Sequence, residues 1–282
     1  MAQGTIHVGV GGWTFPPWRG TFYPPGLPQA RELAHASRRL TSIEINATFY
    51  RTQKPETFRA WAAQVPDGFV FSVKGPGYVA NRKDLRESGP GLARFLDSGV
   101  TELGDRLGPI LWQFAATKRF DPDEIAGFLD LLPRSHAGRP LRHVLEPRHE
   151  SFLTPDFVAL MRRAEVPVVC AESEKYPQMA DLTGDFVYAR LQRSSAAHAA
   201  GYAPDALDAW AARIRTWAAG GDPPDLPHVA QPRAKGRPRE CFVYVIAGAK
   251  ERNPAAATAL IERLGPASPG GRGRVGAAAP TG

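Results

Sequence analysis

Short apolar segments alternate with amphipathic segments along most of the chain. The short segments are rich in β-branched and aromatic residues and predict eight strands, at residues 6–12, 42–46, 69–74, 110–113, 142–146, 166–172, 186–191 and 241–246. The amphipathic segments predict helices at residues 29–40, 55–64, 91–103, 122–131, 155–164, 204–219 and 254–264. Short apolar strands that alternate with helices form parallel sheets, and eight such strands can close a ring. The pattern therefore predicts an α/β fold, a single (β/α)8 barrel of the TIM type.

Two regions depart from this regular pattern. The crossover between strands six and seven, residues 173–185, is short and contains Pro177 and Gly184, so an irregular connection is expected there. The final residues, 265–282, are rich in Gly, Pro and Ala and have no apolar periodicity. We therefore predict a barrel domain over residues 1–264 and a disordered tail over 265–282.

Polar side chains recur near the carboxyl-terminal ends of the predicted strands. In the fifth strand, Pro147 ends the sheet ladder, so Glu146 is the last paired residue and Arg148 and His149 follow it. In other strands the alternation of side chains sets a polar group opposite the apolar face, and these groups are Glu44, Asn46, Lys74, Gln113, Glu172 and Arg190. Because all strands of a barrel end at one rim, we expect these side chains to share a pocket.

These residues form two candidate sets. The catalytic candidates are Glu44, Glu146, Glu172 and His149, and the substrate-binding candidates are Trp13, Asn46, Tyr50, Lys74, Gln113, Arg148, Arg190 and Lys250. Carboxylates that share a pocket repel each other, so one is expected to have a raised pKa and to act as an acid while another stays ionised. Arginine and lysine bind phosphate or carboxylate groups. The set favours an enzyme that performs acid–base chemistry, isomerisation or hydrolysis, on a small anionic or polyhydroxylated molecule.

Each candidate also has a purely structural interpretation. Pairs such as Glu44 with Arg190 could be ion pairs that hold the rim together. Lys74 could reach solvent past its aliphatic stem, and His149 could be an ordinary loop residue. The aromatic residues of the loop 13–28, which should rise over the carboxyl-terminal face, could form a lid or simply plug the barrel.

The charge balance supports a second class of function. The formal net charge is +7 and the pI is about 9.6, which favours anionic partners. Basic residues in segments 81–94 and 233–239 could contact the phosphates of a nucleic acid, with aromatic residues of the segment 13–23 as stacking surfaces. Acidic residues interrupt the first basic segment, and the second should lie on the opposite face of the barrel from the candidate pocket. A protein that binds a small molecule without converting it is the third alternative.

No cofactor is predicted from the sequence. The glycines at 9–12 do not complete a Gly-x-Gly-x-x-Gly motif and lead into a loop rather than a helix. The candidate carboxylates and His149 are oxygen and nitrogen ligands that could hold a divalent metal, but they form no tight ligand motif, so no metal site is assigned. Cys170 and Cys241 lie in apolar segments typical of buried free thiols. With neither a signal-peptide pattern nor an apolar run long enough for a membrane helix, we expect a cytoplasmic protein.

Four ordered blocks of the chain resemble a known family. They are Gly-Gly-Trp-Thr-Phe-Pro-Pro-Trp-Arg-Gly-Thr-Phe-Tyr-Pro at 11–24, Glu-Ile-Asn-Ala-Thr-Phe-Tyr at 44–50, Phe-Ser-Val-Lys at 71–74 and Leu-Glu-Pro-Arg-His-Glu-Ser-Phe at 145–152. They are similar to the signature blocks of the YecE-like family, also called domain of unknown function 72. The resemblance implies a TIM-type barrel and no established reaction.

Three positions depart from the pattern of that family. Residues 114–116 replace a turn that usually contains proline, Gln192 replaces a histidine, and residues 247–250 replace a pair of asparagines. Lys250 is a candidate replacement for those polar groups. If these positions bind ligand, the ligand or its geometry should differ from that of other family members.

Overall fold

Eight parallel strands form a ring in the computed structural model, which describes residues 3–233 and 235–265. The strands are β1 (Ile6–Gly11), β2 (Ser42–Ile45), β3 (Val70–Lys74), β4 (Leu107–Gln113), β5 (His143–Glu146), β6 (Cys170–Glu172), β7 (Phe186–Leu191) and β8 (Glu240–Val245). They pair in the order β5-β4-β3-β2-β1-β8-β7-β6. At the remaining seam, the Leu145 N–H donates to the Pro167 carbonyl at 3.0 Å and the Val169 N–H donates to the Leu145 carbonyl at 2.9 Å. These two bonds join β5 to the residues just before β6, and the predicted (β/α)8 barrel is confirmed.

The helices pack around the outside of this ring. They are α1 (Glu32–Ala36), α2 (Ala47–Tyr50), α3 (Pro55–Gln64), α4 (Gly77–Ala80), α5 (Gly89–Asp97), α6 (Pro122–Leu131), α7 (Pro155–Ala164), α8 (Pro204–Ala218) and α9 (Asn253–Leu264). Two of these helices have a proline in the first turn and a side chain just before it that caps the helix. The Asp121 carboxylate accepts the N–H groups of the first turn of α6, and the Thr154 hydroxyl accepts the Phe157 N–H of α7.

Glycines account for two departures from the predicted elements. A single helix was expected over 91–103, but α5 ends before Gly99, whose φ of 99° cannot continue a helix, and a 3₁₀ segment, Val100–Arg106, follows. A short hairpin that the sequence pattern did not predict, Ser135–His136 with Arg139–Pro140, precedes β5. Its two turn residues both have positive φ, 47° and 74°, as a tight hairpin turn requires.

The predicted sixth strand was too long. Residues 166–172 were expected to be extended, whereas β6 begins at Cys170, because the chain before it contacts β5 only through the seam bonds. The following crossover, 173–185, consists of bends and irregular backbone without a helix, as its proline and glycine predicted. Residues 266–282 of the predicted tail lie outside the described residues.

The barrel interior contains aromatic and aliphatic side chains that are separate from the outer core beneath the helices. This inner cluster comprises Val70, Leu111, Val144, Val169, Ala171, Phe186, Tyr188, Phe242, Tyr244 and Ile246. At the amino-terminal end it is bordered by His7, whose ring stacks on Phe242 and whose Nε2 lies 2.8 Å from Glu240. The opposite end of the interior is polar and forms the candidate site. Within the described residues no helix is both long and apolar enough to cross a membrane.

Candidate functional site

Arg190 occupies the centre of the carboxyl-terminal rim. It follows Phe186 and Tyr188 at alternate positions of β7, so its side chain points into the barrel. Its Nη2 and Nε donate to the two carboxylate oxygens of Glu44, at 2.9 and 3.0 Å, and its Nη1 donates to Glu146 Oε2. All three residues are buried, and Glu44 has no exposed surface. One guanidinium therefore bridges two carboxylates that come from strands on different sides of the ring.

Glu146 has two further partners. Gln113 Nε2 donates to its Oε2 at 2.9 Å, and Arg148 Nε donates to its Oε1 at 2.9 Å. Arg148 is only half-buried, and its guanidinium lies 4.2 Å from the centre of the Tyr176 ring. Burial alone would raise the pKa of Glu146, but Arg190 and Arg148 stabilise the carboxylate and leave its pKa below the usual value.

The electrostatics of the rim differ from the prediction. We expected repulsion between carboxylates to raise the pKa of one of them, but the pKa of Glu146 is lowered. The reason is the position of Arg190, which lies between Glu44 and Glu146 and replaces repulsion with two attractions. At this rim the structural interpretation of the charged pairs, as satisfied ion pairs, matches the observed contacts.

A layer of hydroxyl groups supports the ion pairs from below. The Tyr188 hydroxyl donates to Glu44 Oε2 at 2.8 Å and lies 2.7 Å from the Ser72 hydroxyl. The hydroxyls of Ser42 and Tyr244 form a similar contact at 2.7 Å. Burial raises the pKa of Tyr188 well above its usual value, and nearby Glu44 raises it further, so the phenol stays protonated and acts as a donor. None of these hydroxyl-bearing residues was predicted to belong to the site, although they alternate with the predicted charged residues along the strands.

The charged and amide side chains at the rim form one cluster, which comprises Glu44, Lys74, Gln113, Glu146, Arg148 and Arg190. In the part of the chain that the structure describes, Lys74 is the one cation of this cluster without a carboxylate partner. The residue is 7% exposed, and its Nζ lies 3.9 Å from the centre of the Phe49 ring. Burial lowers the pKa of Lys74 to about 8, with a contribution from Arg190, while Glu44 and Glu146 act in the opposite direction. At neutral pH this side chain is therefore a buried cation that loses its proton more easily than an ordinary lysine.

Glu172 does not belong to this cluster. Its carboxylate accepts the Tyr202 hydroxyl at 2.6 Å and the Trp210 Nε1–H at 2.9 Å, on the helix side of the sheet. The inward side chains of this part of the barrel are Val169 and Ala171, which have the opposite parity. The prediction that Glu172 shares the pocket is therefore wrong, and the rim contains two carboxylates rather than three.

Two other candidates lie near the rim in different settings. Asn46 is half-buried and its Nδ2 donates to the Glu44 carbonyl at 3.4 Å; a Cβ atom at Gly11 would come within 2.8 Å of the same Nδ2. His149 begins a 3₁₀ turn, where its Nδ1 accepts the Ser151 N–H at 3.1 Å, and its Nε2 lies 3.4 Å from Arg119. His149 thus contacts neither carboxylate of the cluster, contrary to the prediction of a shared pocket.

The remaining candidates lie outside the cluster. Trp13 packs edge-on against Trp61 and lines a separate crevice of about 400 Å³ beside α3. Tyr50 is 80% exposed on α2. Lys250 is exposed, and its Nζ lies 4.3 Å from the centre of the Phe15 ring, which places it over the loop that follows β1. The predicted substrate-binding set is therefore divided between the buried cluster and the surrounding loops.

The basic segment 81–94 carries acidic partners of its own. In the segment 81–94, Arg82 pairs with Glu87 at 3.0 Å and Arg86 pairs with Asp84 at 2.8 Å. These contacts reduce the positive charge that the segment offers to a phosphate backbone. Among the residues that the structure describes, no three His, Cys, Asp or Glu side chains are grouped as a metal site.

Comparisons with known proteins identify relatives of this chain. A family model described as "Protein of unknown function DUF72" matches residues 7–276. UPF0759 protein YecE from Escherichia coli K12 is 30% identical over 150 residues, which are 52% of this chain and 50% of that protein. The chain thus spans about half the length of the curated relatives it matches.

Two solved structures share the fold. A DUF72 family protein from Thermotoga maritima superposes with a TM-score of 0.68 at 20% identity and covers 90% of this chain and 96% of its own. A DUF72 family protein from Enterococcus faecalis has a TM-score of 0.60 at 16% identity, with coverage of 94% and 97%. At these identities the likeness concerns the barrel alone.

Proposed function

Since the chain belongs to the DUF72 family, whose description names no reaction, we propose from its own rim that it is an enzyme that binds a small anionic molecule and exchanges a proton with it through Lys74. The predicted acid–base chemistry is retained, but a lysine rather than a pair of carboxylates transfers the proton. Proton exchange of this kind is part of isomerisation and hydrolysis reactions.

The observation that carries the proposal is the charge balance of the cluster. Three cations, Lys74, Arg148 and Arg190, face two carboxylates, Glu44 and Glu146. Because the arginines engage both carboxylates, the uncompensated charge is that of Lys74. A buried charge without a partner is unfavourable, so an anion that enters the rim and pairs with it should bind with a favourable free energy.

The lowered pKa of Lys74 supports the choice of proton carrier. A general acid or base is most effective when its pKa lies near the working pH, and a pKa of about 8 meets this condition better than that of an ordinary lysine. Glu146 is a weaker candidate, since its pKa is lowered and both of its oxygens accept hydrogen bonds. Asn46 and Arg148, which are only half-buried, are available to orient the bound molecule.

Thermal unfolding in the presence of millimolar inorganic phosphate tests the anion site. We expect phosphate to raise the melting temperature of the wild-type protein and of Lys74→Arg, but not of Lys74→Met. Lys54→Met, which removes an exposed lysine, is the matched control and should keep the full phosphate effect. Equal stabilisation of wild type and Lys74→Met by phosphate would contradict the proposal.

A further inference from the structure

We propose that Lys74 is a nucleophile that forms a Schiff base with the carbonyl carbon of an anionic aldehyde or ketone. This rests on the proposed function, because the same excess of positive charge at the rim would bring the anionic group, and with it the carbonyl, to Nζ.

The backbone of Lys74 holds the amine in a fixed position. Lys74 is the last residue of β3, and its carbonyl accepts the Thr48 hydroxyl at 2.7 Å. The next N–H, of Gly75, donates to the Leu111 carbonyl at 2.8 Å. Both contacts fix the strand end to its neighbours, so the side chain starts from a rigid element rather than from a loop.

The surroundings of Nζ favour a reactive amine. The Phe49 ring covers one side at 3.9 Å, and the charged groups that influence the lysine are Arg190, Arg148, Glu44 and Glu146. The carboxylates are engaged by the arginines, and within residues 3–233 and 235–265 none lies in salt-bridge contact with Nζ. Desolvation beside other cations is the setting that activates a lysine as a nucleophile.

Lys118 provides a contrast within the same chain. Its Nζ donates to Glu124 Oε1 at 2.6 Å and to the Lys83 carbonyl at 2.8 Å. These bonds hold the ammonium form and would have to break before the nitrogen could attack a carbon. Lys74 is more deeply buried than the half-buried Lys118, yet among the described residues no carboxylate bonds to its nitrogen. This difference distinguishes a potential nucleophile from a structural lysine.

The proposed step is balanced without a further reactant. The neutral amine of Lys74 attacks the carbonyl carbon and forms a C–N bond, which gives a carbinolamine. The former carbonyl oxygen then leaves as water with the two protons of the amine, and a C=N bond replaces the C=O bond. Neither partner is oxidised or reduced. Uptake of one proton from solvent gives the iminium ion, which withdraws electrons from the adjacent carbon.

Reductive trapping tests this step directly. The folded protein is incubated at pH 7 with glyoxylate and sodium cyanoborohydride, and adducts are assigned to individual lysines by peptide mass spectrometry. The chain has seven lysines, of which Lys54 and Lys83 are exposed and serve as internal references. We expect Lys74 to be modified roughly tenfold or more faster than either, because a larger fraction of its amine is neutral at this pH. Equal or slower modification of Lys74 would overturn the proposal.

Two further arms separate the covalent step from anion binding. Glycolaldehyde, a neutral aldehyde of similar size, should modify Lys74 several-fold more slowly than glyoxylate, and equal rates would overturn the anionic substrate class. Lys74→Arg keeps the charge but has no primary amine, so it should retain stabilisation by phosphate. A wild-type protein stabilised by phosphate through Lys74 but not trapped there would contradict the Schiff base alone. Equal stabilisation of the wild type and Lys74→Met by phosphate, or no stabilisation of the wild type, would contradict the proposed anion site.

Discussion

Arg190 binds Glu44 through two parallel hydrogen bonds, from Nη2 to Oε1 at 2.9 Å and from Nε to Oε2 at 3.0 Å. This bidentate geometry is the strongest arrangement available to an arginine and a carboxylate. The pair spans the barrel from β7 to β2, and the third nitrogen of the same guanidinium extends the connection to Glu146 on β5. Strands that are not neighbours in the sheet are thus joined through the interior at the rim.

The first prediction concerns the removal of this guanidinium. Arg190→Met leaves Glu44 and Glu146 buried without their main cation, so we expect the free energy of unfolding to fall by about 3–5 kcal/mol. Chemical denaturation at pH 7 measures the change. The control is Arg59→Met, because Arg59 pairs with Glu102 at 3.1 Å on the surface, where both side chains are more than 40% exposed. An exposed pair of this kind contributes only about 0–1 kcal/mol. Similar losses for the two variants would contradict a structural role of Arg190.

A second prediction follows from a histidine beneath the helices. The Trp112 Nε1–H donates to His143 Nδ1 at 3.1 Å, and His143 Nε2 lies 2.8 Å from the Pro133 carbonyl. An indole N–H can only donate and a carbonyl can only accept, so the imidazole is neutral with its proton on Nε2. Protonation of Nδ1 would break the bond to Trp112. Burial accordingly lowers the pKa of His143 to about 4.

The pH dependence of stability has a definite sign at this residue. The folded-state pKa of about 4 lies below the unfolded value of about 6.5, so acid favours the unfolded chain. We expect the His143 contribution to be complete above pH 6.5, to decline as the pH falls, and to be lost near pH 4, a decrease on the order of 3 kcal/mol. Urea unfolding across this range measures it. His143→Gln offers an acceptor and a donor without titrating, so its profile should be flatter, and parallel profiles would refute the assignment.

Side-chain alternation predicted much of the rim. On β2, β5 and β7 the residues Glu44, Glu146 and Arg190 occupy the expected inward face, and Lys74 and Gln113 do so on their own strands. On β6 the same rule gave the wrong answer for Glu172. In a strand buried on both faces, alternation shows which residues share a face but not which face is inward, and here both faces are apolar.

The partners of the charged groups were less predictable. Glu44 and Arg190 are separated by 146 positions in the chain, and their contact depends on the tilt and register of strands on different sides of the ring. Tyr188 was not among the predicted site residues, although burial of a phenol beside a carboxylate makes it a donor to Glu44. The loop residues Trp13, Tyr50 and Lys250 depend on loop conformation, which strand alternation does not determine.

The third prediction tests the corrected position of Glu172. This carboxylate accepts hydrogen bonds from Tyr202 and from Trp210 on α8, so Glu172→Gln should lower the free energy of unfolding by about 1–3 kcal/mol through the weakened bonds. Tyr202→Phe removes one of the same bonds and should lower stability in the same direction. Neither change should alter the stabilisation by phosphate, since Glu172 lies outside the rim cluster. A loss of the stabilisation by phosphate in Glu172→Gln would show that Glu172 contributes to the anion site.

The last prediction concerns the ring that covers Lys74. Phe49 lies 3.9 Å from Nζ and packs so closely on Gly77 that a Cβ there would come within 3.1 Å of the ring. Because burial is the main cause of the lowered pKa of Lys74, Phe49→Ala should let water reach the amine and raise its pKa from about 8 toward the ordinary value. Sulfate is a suitable anion probe, as its charge stays constant between pH 6 and pH 10.

In the wild-type protein, stabilisation by sulfate should decline as the pH rises through about 8, because Lys74 loses its charge there. In Phe49→Ala the decline should shift upward by about one pH unit or more, and in Lys74→Arg it should disappear over this range, since arginine stays charged. Tyr50→Ala is the matched control, because Tyr50 is next to Phe49 in the same helix but is 80% exposed. A sulfate effect with the same pH dependence in wild type and Lys74→Arg would show that another group binds the anion, since an arginine at position 74 stays charged over this range.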